Sequence, residues 1–105
     1  MTGTKIGIVG AAGRMGRTLI EEVSATPGAV LAAAAERAGH DAIGQDAGTL
    51  AGLKPLGVAI VAKPEAVFAA SDVVIDFTTP KATVLHAELA QKHKAALVKI
   101  GRAHV

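Results

Sequence analysis

Nothing in this chain restricts its fold more than the passage Lys5-Ile6-Gly7-Ile8-Val9-Gly10-Ala11-Ala12-Gly13-Arg14-Met15-Gly16-Arg17. Ile6 to Val9 is a short apolar run that reads as a buried strand, and it stops at Gly10. Arg14 to Glu22 then resumes as an amphipathic helix. A strand that turns sharply into a helix aims several backbone N–H groups, and the positive end of the helix dipole, at one point, which suits a phosphate. In this reading Gly10 permits the tight turn and Gly13 lets the backbone approach a pyrophosphate with no Cβ in the way. Gly16 lets the helix pack close to the strand.

The spacing is G-x-x-G-x-x-G, a variant of a dinucleotide fingerprint that is weak when it stands alone. Here it follows a strand and opens a helix, as the motif requires. Glu36 adds a second signal: it lies 20 residues beyond Gly16, at the end of the apolar run Val30 to Ala35. A carboxylate at that place accepts the ribose hydroxyls of an adenine dinucleotide. Arg37 has two readings, a plain surface residue or a partner for the 2′-phosphate of NADP or for the adenine ring.

The rest of the chain alternates short apolar runs with helical patterns, which predicts a Rossmann-type parallel sheet with helices on both faces. The first helix is expected to run to about Thr26, where Pro27-Gly28 stops it, with Met15, Leu19, Ile20 and Val23 on its apolar face. Residues 38 to 56 are loop-like; Asp46 can cap a short helical turn around Thr49 to Leu53, and His40 reads as a solvated loop residue. Further strands are expected at Val58–Ala62, Val73–Phe77 and Ala95–Val98. Helices are expected at Pro64–Ala70 and from Pro80 to about Lys94, the latter burying Val84, Leu85 and Leu89. Asp76, at the end of a buried strand, has two readings, an acceptor for neighbouring loop N–H groups or a ligand contact, of which the structural one is favoured. Thr78 and Thr79 fall at the carboxyl edge of the sheet, where such folds open their crevice. His86 and His93 share a face of their helix, expected to be solvated together with Glu88 and Lys92, and no ligand set at metal spacing is present.

With 105 residues the chain is one domain at most. Its net charge of +2 comes from scattered Lys and Arg with no basic block, and Phe68 and Phe77 are the only aromatic residues, so nucleic-acid binding is disfavoured. There is no cysteine, hence neither a disulfide framework nor a thiolate metal site. No apolar run reaches a membrane span and no signal-like segment opens the chain, so no membrane association and a cytoplasmic location are expected.

Four segments together resemble bacterial 4-hydroxy-tetrahydrodipicolinate reductase, also called dihydrodipicolinate reductase, of the diaminopimelate route to lysine. They are Ile6–Gly16, Ala35-Glu36-Arg37, Asp46-Ala47-Gly48 and Asp72-Val73-Val74-Ile75-Asp76-Phe77-Thr78-Thr79-Pro80. The resemblance implies an oxidoreductase domain that takes hydride from NADH or NADPH. It places the pyrophosphate on the turn Gly10, Ala11, Ala12, Gly13, Arg14 and Met15, the adenosine ribose on Glu36 and the 2′-phosphate on Arg37. Phe77 and Thr78, with Gly101 after the fifth strand, would lie toward the nicotinamide.

The chain departs from that family beyond Val98. After the fifth strand Lys99 interrupts the apolar run before Ile100, and Gly101 is followed by Arg102-Ala103-His104-Val105 where the family has a Gly-Thr-Thr-Gly turn. Residues 1–98 are therefore expected to be the dinucleotide-binding domain and 99–105 an atypical tail. The C-terminal domain with the family's His- and Lys-containing substrate motif is absent, so no residue here is assigned a catalytic role. A small-molecule substrate and a homo-oligomer are expected only of the full-length enzyme. The rival readings are a stand-alone nucleotide-binding or redox-sensing module, and the first half of another dehydrogenase, such as a homoserine or aspartate-semialdehyde dehydrogenase relative.

Overall fold

A computed structural model of the chain describes residues 3–77 and 80–99, with the backbone alone for 80–84. Five strands, β1 (Thr4–Val9), β2 (Ala29–Ala35), β3 (Ile60–Val61), β4 (Val73–Asp76) and β5 (Ala96–Lys99), alternate with four helices. These are α1 (Arg14–Ala25), α2 (Ala47–Leu50), α3 (Pro64–Ala70) and α4 (Pro80–His93). All strand pairs are parallel and the sheet order is β3-β2-β1-β4-β5. The chain thus builds outward from the central β1 through β2 to β3, then crosses back to lay β4 and β5 on the other side. That reversal between β1 and β4 opens a crevice beyond their carboxyl ends.

Neighbouring residues of each strand point to opposite faces, and here both faces are covered, so the strands are apolar along their length. Ile8 and Ala34 join Ile20 and Val23 of α1, with Leu31 and Ile60, in one core cluster. Val9, Ala35 and Val74 face the other way and pack with Val67 and Phe68 of α3 and Ala90 of α4. With few aromatic residues to fill space, alanines at these facing positions let the helices lie close to the sheet.

The loop after β2 is held by one carboxylate. Asp46 accepts hydrogen bonds from the backbone N–H groups of Thr49, Leu56, Gly57 and Val58 at 3.0, 2.9, 2.8 and 3.1 Å. Its bond to Thr49 caps α2 and starts that helix at Ala47, two residues earlier than the sequence pattern implies.

Four expectations are corrected. Lys99 does not break the fifth strand: it is the last residue of β5, in register with Asp76 of β4. Met15 does not belong to the buried face of α1: it is 58% exposed, and Gly16 takes the inward position of the first turn. Leu85 is half exposed, because the face of α4 turned to the sheet is marked by His86 and Ala90 instead. His86 is accordingly buried rather than solvated. The expectation for the Val84 side chain lies outside the described residues. Among the described residues no helix is long and apolar enough to cross a membrane.

Candidate functional site

The turn between β1 and α1 is closed from within. The carbonyl of Ala35 accepts the N–H groups of both Gly10 and Ala11, at 2.9 and 3.0 Å, which ties the turn to the end of β2. Gly10 has φ +86°, a conformation that L side chains rarely adopt. Gly16 is needed for a different reason: a Cβ there would lie 2.5 Å from the Gly10 carbonyl oxygen and 2.6 Å from that of Ala11. It thus packs α1 against the turn itself, rather than against the strand as the motif suggests. Gly13 has no such neighbour; a Cβ there would meet only the Gly10 carbonyl oxygen, at 3.7 Å.

With the N–H groups of Gly10 and Ala11 already spent, the donors left for a ligand are those at the start of α1. Gly13 is the N-cap residue, it supplies no side-chain cap, and the first turn carries no acidic residue. The N–H groups of Arg14, Met15 and Gly16 therefore lack partners within the helix, and an anion is what they and the helix dipole favour.

Glu36, just beyond β2, leans back over this turn. One carboxylate oxygen accepts the Ala12 N–H at 2.9 Å and the other accepts the Arg37 N–H at 3.0 Å. Two fixed donors hold the carboxylate in one orientation at the lip of a cleft of about 510 Å³. Gly10, Ala12, Gly13, Glu36, Arg37 and Phe77 of the expected site all line that cleft. Ala11 instead turns into the core, and Met15 and Arg14 are exposed in the first turn of α1. Arg14 lines a second hollow with Arg17, Thr18 and Glu21. Thr78 and Gly101 lie outside the described residues.

Two lining residues were not foreseen. His40 reaches the cleft from the loop after β2, and His86 reaches it from α4. His86 Nδ1 is 2.5 Å from Oδ2 of Asp76, with both side chains buried, and its ring lies 5.8 Å from that of Phe68. Asp76 thus keeps the structural role expected of it. Lys99 pairs with it in register across β4 and β5, Nζ 3.7 Å from Oδ1. The signal for His86 was available: a carboxylate closing a buried strand needs a donor, and a histidine follows on the next helix.

A parallel sheet in this order, a glycine turn at the crossover point and a carboxylate clamped over it define a Rossmann-type dinucleotide fold. The family model described as dihydrodipicolinate reductase, N-terminus, matches residues 4–101, and the chain belongs to that family. It is 53% identical over 95 residues to the 4-hydroxy-tetrahydrodipicolinate reductase of Anaeromyxobacter dehalogenans (strain 2CP-1 / ATCC BAA-258), covering 90% of this chain and 35% of that protein. The protein of that name from Rhizobium meliloti is 49% identical over 90 residues, covering 86% of this chain and 37% of the relative. The chain therefore spans about a third of the length of the curated relatives it matches.

Among solved structures, the dipicolinate-bound dihydrodipicolinate reductase from Paenisporosarcina sp. TG-14 superposes with a TM-score of 0.70 at 21% identity, over 94% of this chain and 37% of that one. Aspartate semialdehyde dehydrogenase with NADP from Candida albicans gives a TM-score of 0.72, also at 21% identity, over 96% of this chain and 30% of that one. At such identities the structures show the shared fold alone. The family match is what separates this chain from other dehydrogenases.

Proposed function

We propose that the chain is the NADH- or NADPH-holding part of a 4-hydroxy-tetrahydrodipicolinate reductase of lysine biosynthesis. The observation that carries this reading is the 2.9 Å bond from Ala12 N–H to Glu36. It joins the phosphate turn to the ribose carboxylate on one cleft, at the spacing a dinucleotide half requires. The site also suits the group chemically, since uncapped helix N–H groups face the phosphate position and no Cβ obstructs it at Gly13.

When bound, the cofactor supplies hydride to the substrate. The chain's own residues hold and orient it. The start of α1, through Gly13, Arg14 and Met15, binds the pyrophosphate, with Gly10, Ala11 and Ala12 shaping the turn. Glu36 accepts the ribose hydroxyls, and Arg37, exposed at the lip, faces a 2′-phosphate. Phe77 closes the nicotinamide end, where Thr78 and Gly101 are also assigned. The domain includes Lys99, the last residue of β5, and of the residues after it Gly101 alone is given a part. Substrate binding and proton delivery are assigned to no residue of this chain.

The test is a titration with NADPH and NADH followed by nicotinamide fluorescence. The chain has no Trp or Tyr, so its own emission is negligible. Saturable binding that Gly13→Asp abolishes is expected, with Arg37→Ala weakening NADPH more than NADH. A folded chain that binds neither cofactor refutes the reading.

A further inference from the structure

We infer that His40 is a specificity-determining residue of the adenosine end, a neutral hydrogen-bond donor that works beside Arg37 on a 2′-phosphate. The inference rests on the dinucleotide reading above.

Arg37 and His40 are the first and last residues of a tight turn closed by His40 N–H to the Arg37 carbonyl at 3.1 Å. Gly39, third in that turn, has φ +86°, the value a type II turn demands there. The turn folds the chain back so that both residues line the cleft next to Glu36. Whatever occupies the cleft at the end of β2 meets all three.

The ring of His40 is oriented by a bond of its own. Nδ1 accepts the Ala42 N–H at 3.0 Å. A nitrogen that accepts carries no proton, so the neutral ring holds its hydrogen on Nε2. Nε2 has no hydrogen-bond partner among the described residues. The half-buried side chain therefore presents a donor whose tautomer and direction are set before any ligand arrives.

Charge then decides which ligand this donor serves. The Glu36 carboxylate accepts ribose hydroxyls but repels a phosphate ester at the same carbon. A 2′-phosphate is tolerated only where donors outweigh that repulsion. Arg37 supplies a guanidinium, and His40 supplies a second, directed N–H from the opposite end of the same turn. Hydrogen bonds to a charged acceptor are stronger than neutral ones. The 2′-hydroxyl of NADH, already served by Glu36, gains nothing from an extra donor.

The experiment is a fluorescence titration of the wild-type chain, His40→Ala and His40→Gln with NADPH and NADH, after a melt has shown each to be folded. NADPH affinity is expected to fall about tenfold in His40→Ala, NADH affinity to stay unchanged, and His40→Gln to recover most of the loss because its amide also donates. Equal weakening of both cofactors, or no change in either, overturns the inference. A wild-type chain that binds neither cofactor removes the dinucleotide reading, and this inference with it. A second measurement needs no variant. Nitrogen-15 NMR of the four histidines resolves their tautomers. It should find His40 protonated at Nε2, with that nitrogen shifted by 2′,5′-ADP and not by 5′-ADP. A shift of the same size with both nucleotides, or an Nδ1–H tautomer, overturns it equally.

Discussion

His86 Nδ1 and Asp76 Oδ2 meet at 2.5 Å, with the two side chains 3% and 0% exposed. The pair fastens α4 to the end of β4, immediately before Phe77 enters the cleft. A buried pair of this kind contributes little over an apolar one of equal volume, but removing Asp76 takes away both the short bond to His86 and the ion pair with Lys99. Asp76→Ala is therefore expected to lower the unfolding free energy by about 3–5 kcal/mol. Asp76→Asn should cost less, since its carbonyl oxygen still accepts from Nδ1. Urea melts of the three proteins check this, and a loss below about 1 kcal/mol in Asp76→Ala would show the pair to be energetically idle.

The glycines of the turn separate folding from binding. A methyl group at Gly16 collides with two backbone carbonyl oxygens, at 2.5 and 2.6 Å. Gly16→Ala must push α1 off the turn, so a stability loss of about 1–3 kcal/mol is expected together with loss of cofactor binding. Gly13 has φ −71°, which alanine adopts readily, and its added Cβ meets only one atom at 3.7 Å. Gly13→Ala should melt within a few degrees of wild type while weakening NADPH roughly tenfold, because the methyl group enters the space proposed for the pyrophosphate. Thermal melts paired with fluorescence titrations distinguish the two. Equal effects of both variants on stability would contradict this division of labour.

Most of the architecture was legible in residue order. Apolar runs punctuated by Gly and Pro place all five strands, and Gly10, Gly13 and Glu36 line one cleft. What escaped depends on which way an element rolls. Seven-residue spacing sets His86 and His93 on one face of α4 but does not say that His86 faces Asp76, while His93 reaches Glu65 on α3 at 3.0 Å. Met15 fits an apolar stripe, yet the close approach of α1 to its own turn admits only Gly16 on the inner side. His40 reads as solvated in the sequence because Gly39 signals a turn without saying that the turn brings His40 into the cleft beside Glu36.

Acid should find a weak point in the loop after β2. The Asp46 carboxyl is held down from 3.8 to about 2, chiefly by the Leu56 N–H and further by those of Thr49, Gly57 and Val58, against the opposing cost of desolvation. A folded-state pKa below the unfolded one means the native state binds fewer protons. The stabilisation is complete above the unfolded value and drains away as pH falls through about 2. Glu65 is lowered too, by its hydrogen bonds to Lys92 and His93, and contributes in the same direction. The melting temperature should therefore drop between about pH 4 and pH 2, and the drop should be shallower in Asp46→Asn, which has no charge there to lose. Parallel curves for the two proteins would show that Asp46 does not drive the acid response.

A last polar group has a predicted effect of the opposite sign. Ser71 follows α3 in a buried position, and among the described residues its Oγ has no hydrogen-bond partner. The hydroxyl sits over Gly7 of β1, so close that a Cβ at Gly7 would strike both it and Cγ1 of Val67. Burying a hydroxyl without a partner costs more than burying a methyl group in the same space. Ser71→Ala removes the oxygen and leaves too small a gap to act as a cavity, so it should stabilise the chain by about 1 kcal/mol. For a domain of this size that raises the melting temperature by roughly 4 °C or more. A loss of similar size would mean that the hydroxyl is bonded in solution, by a water lodged between β1 and the end of α3. The closeness of Gly7 argues against room for one.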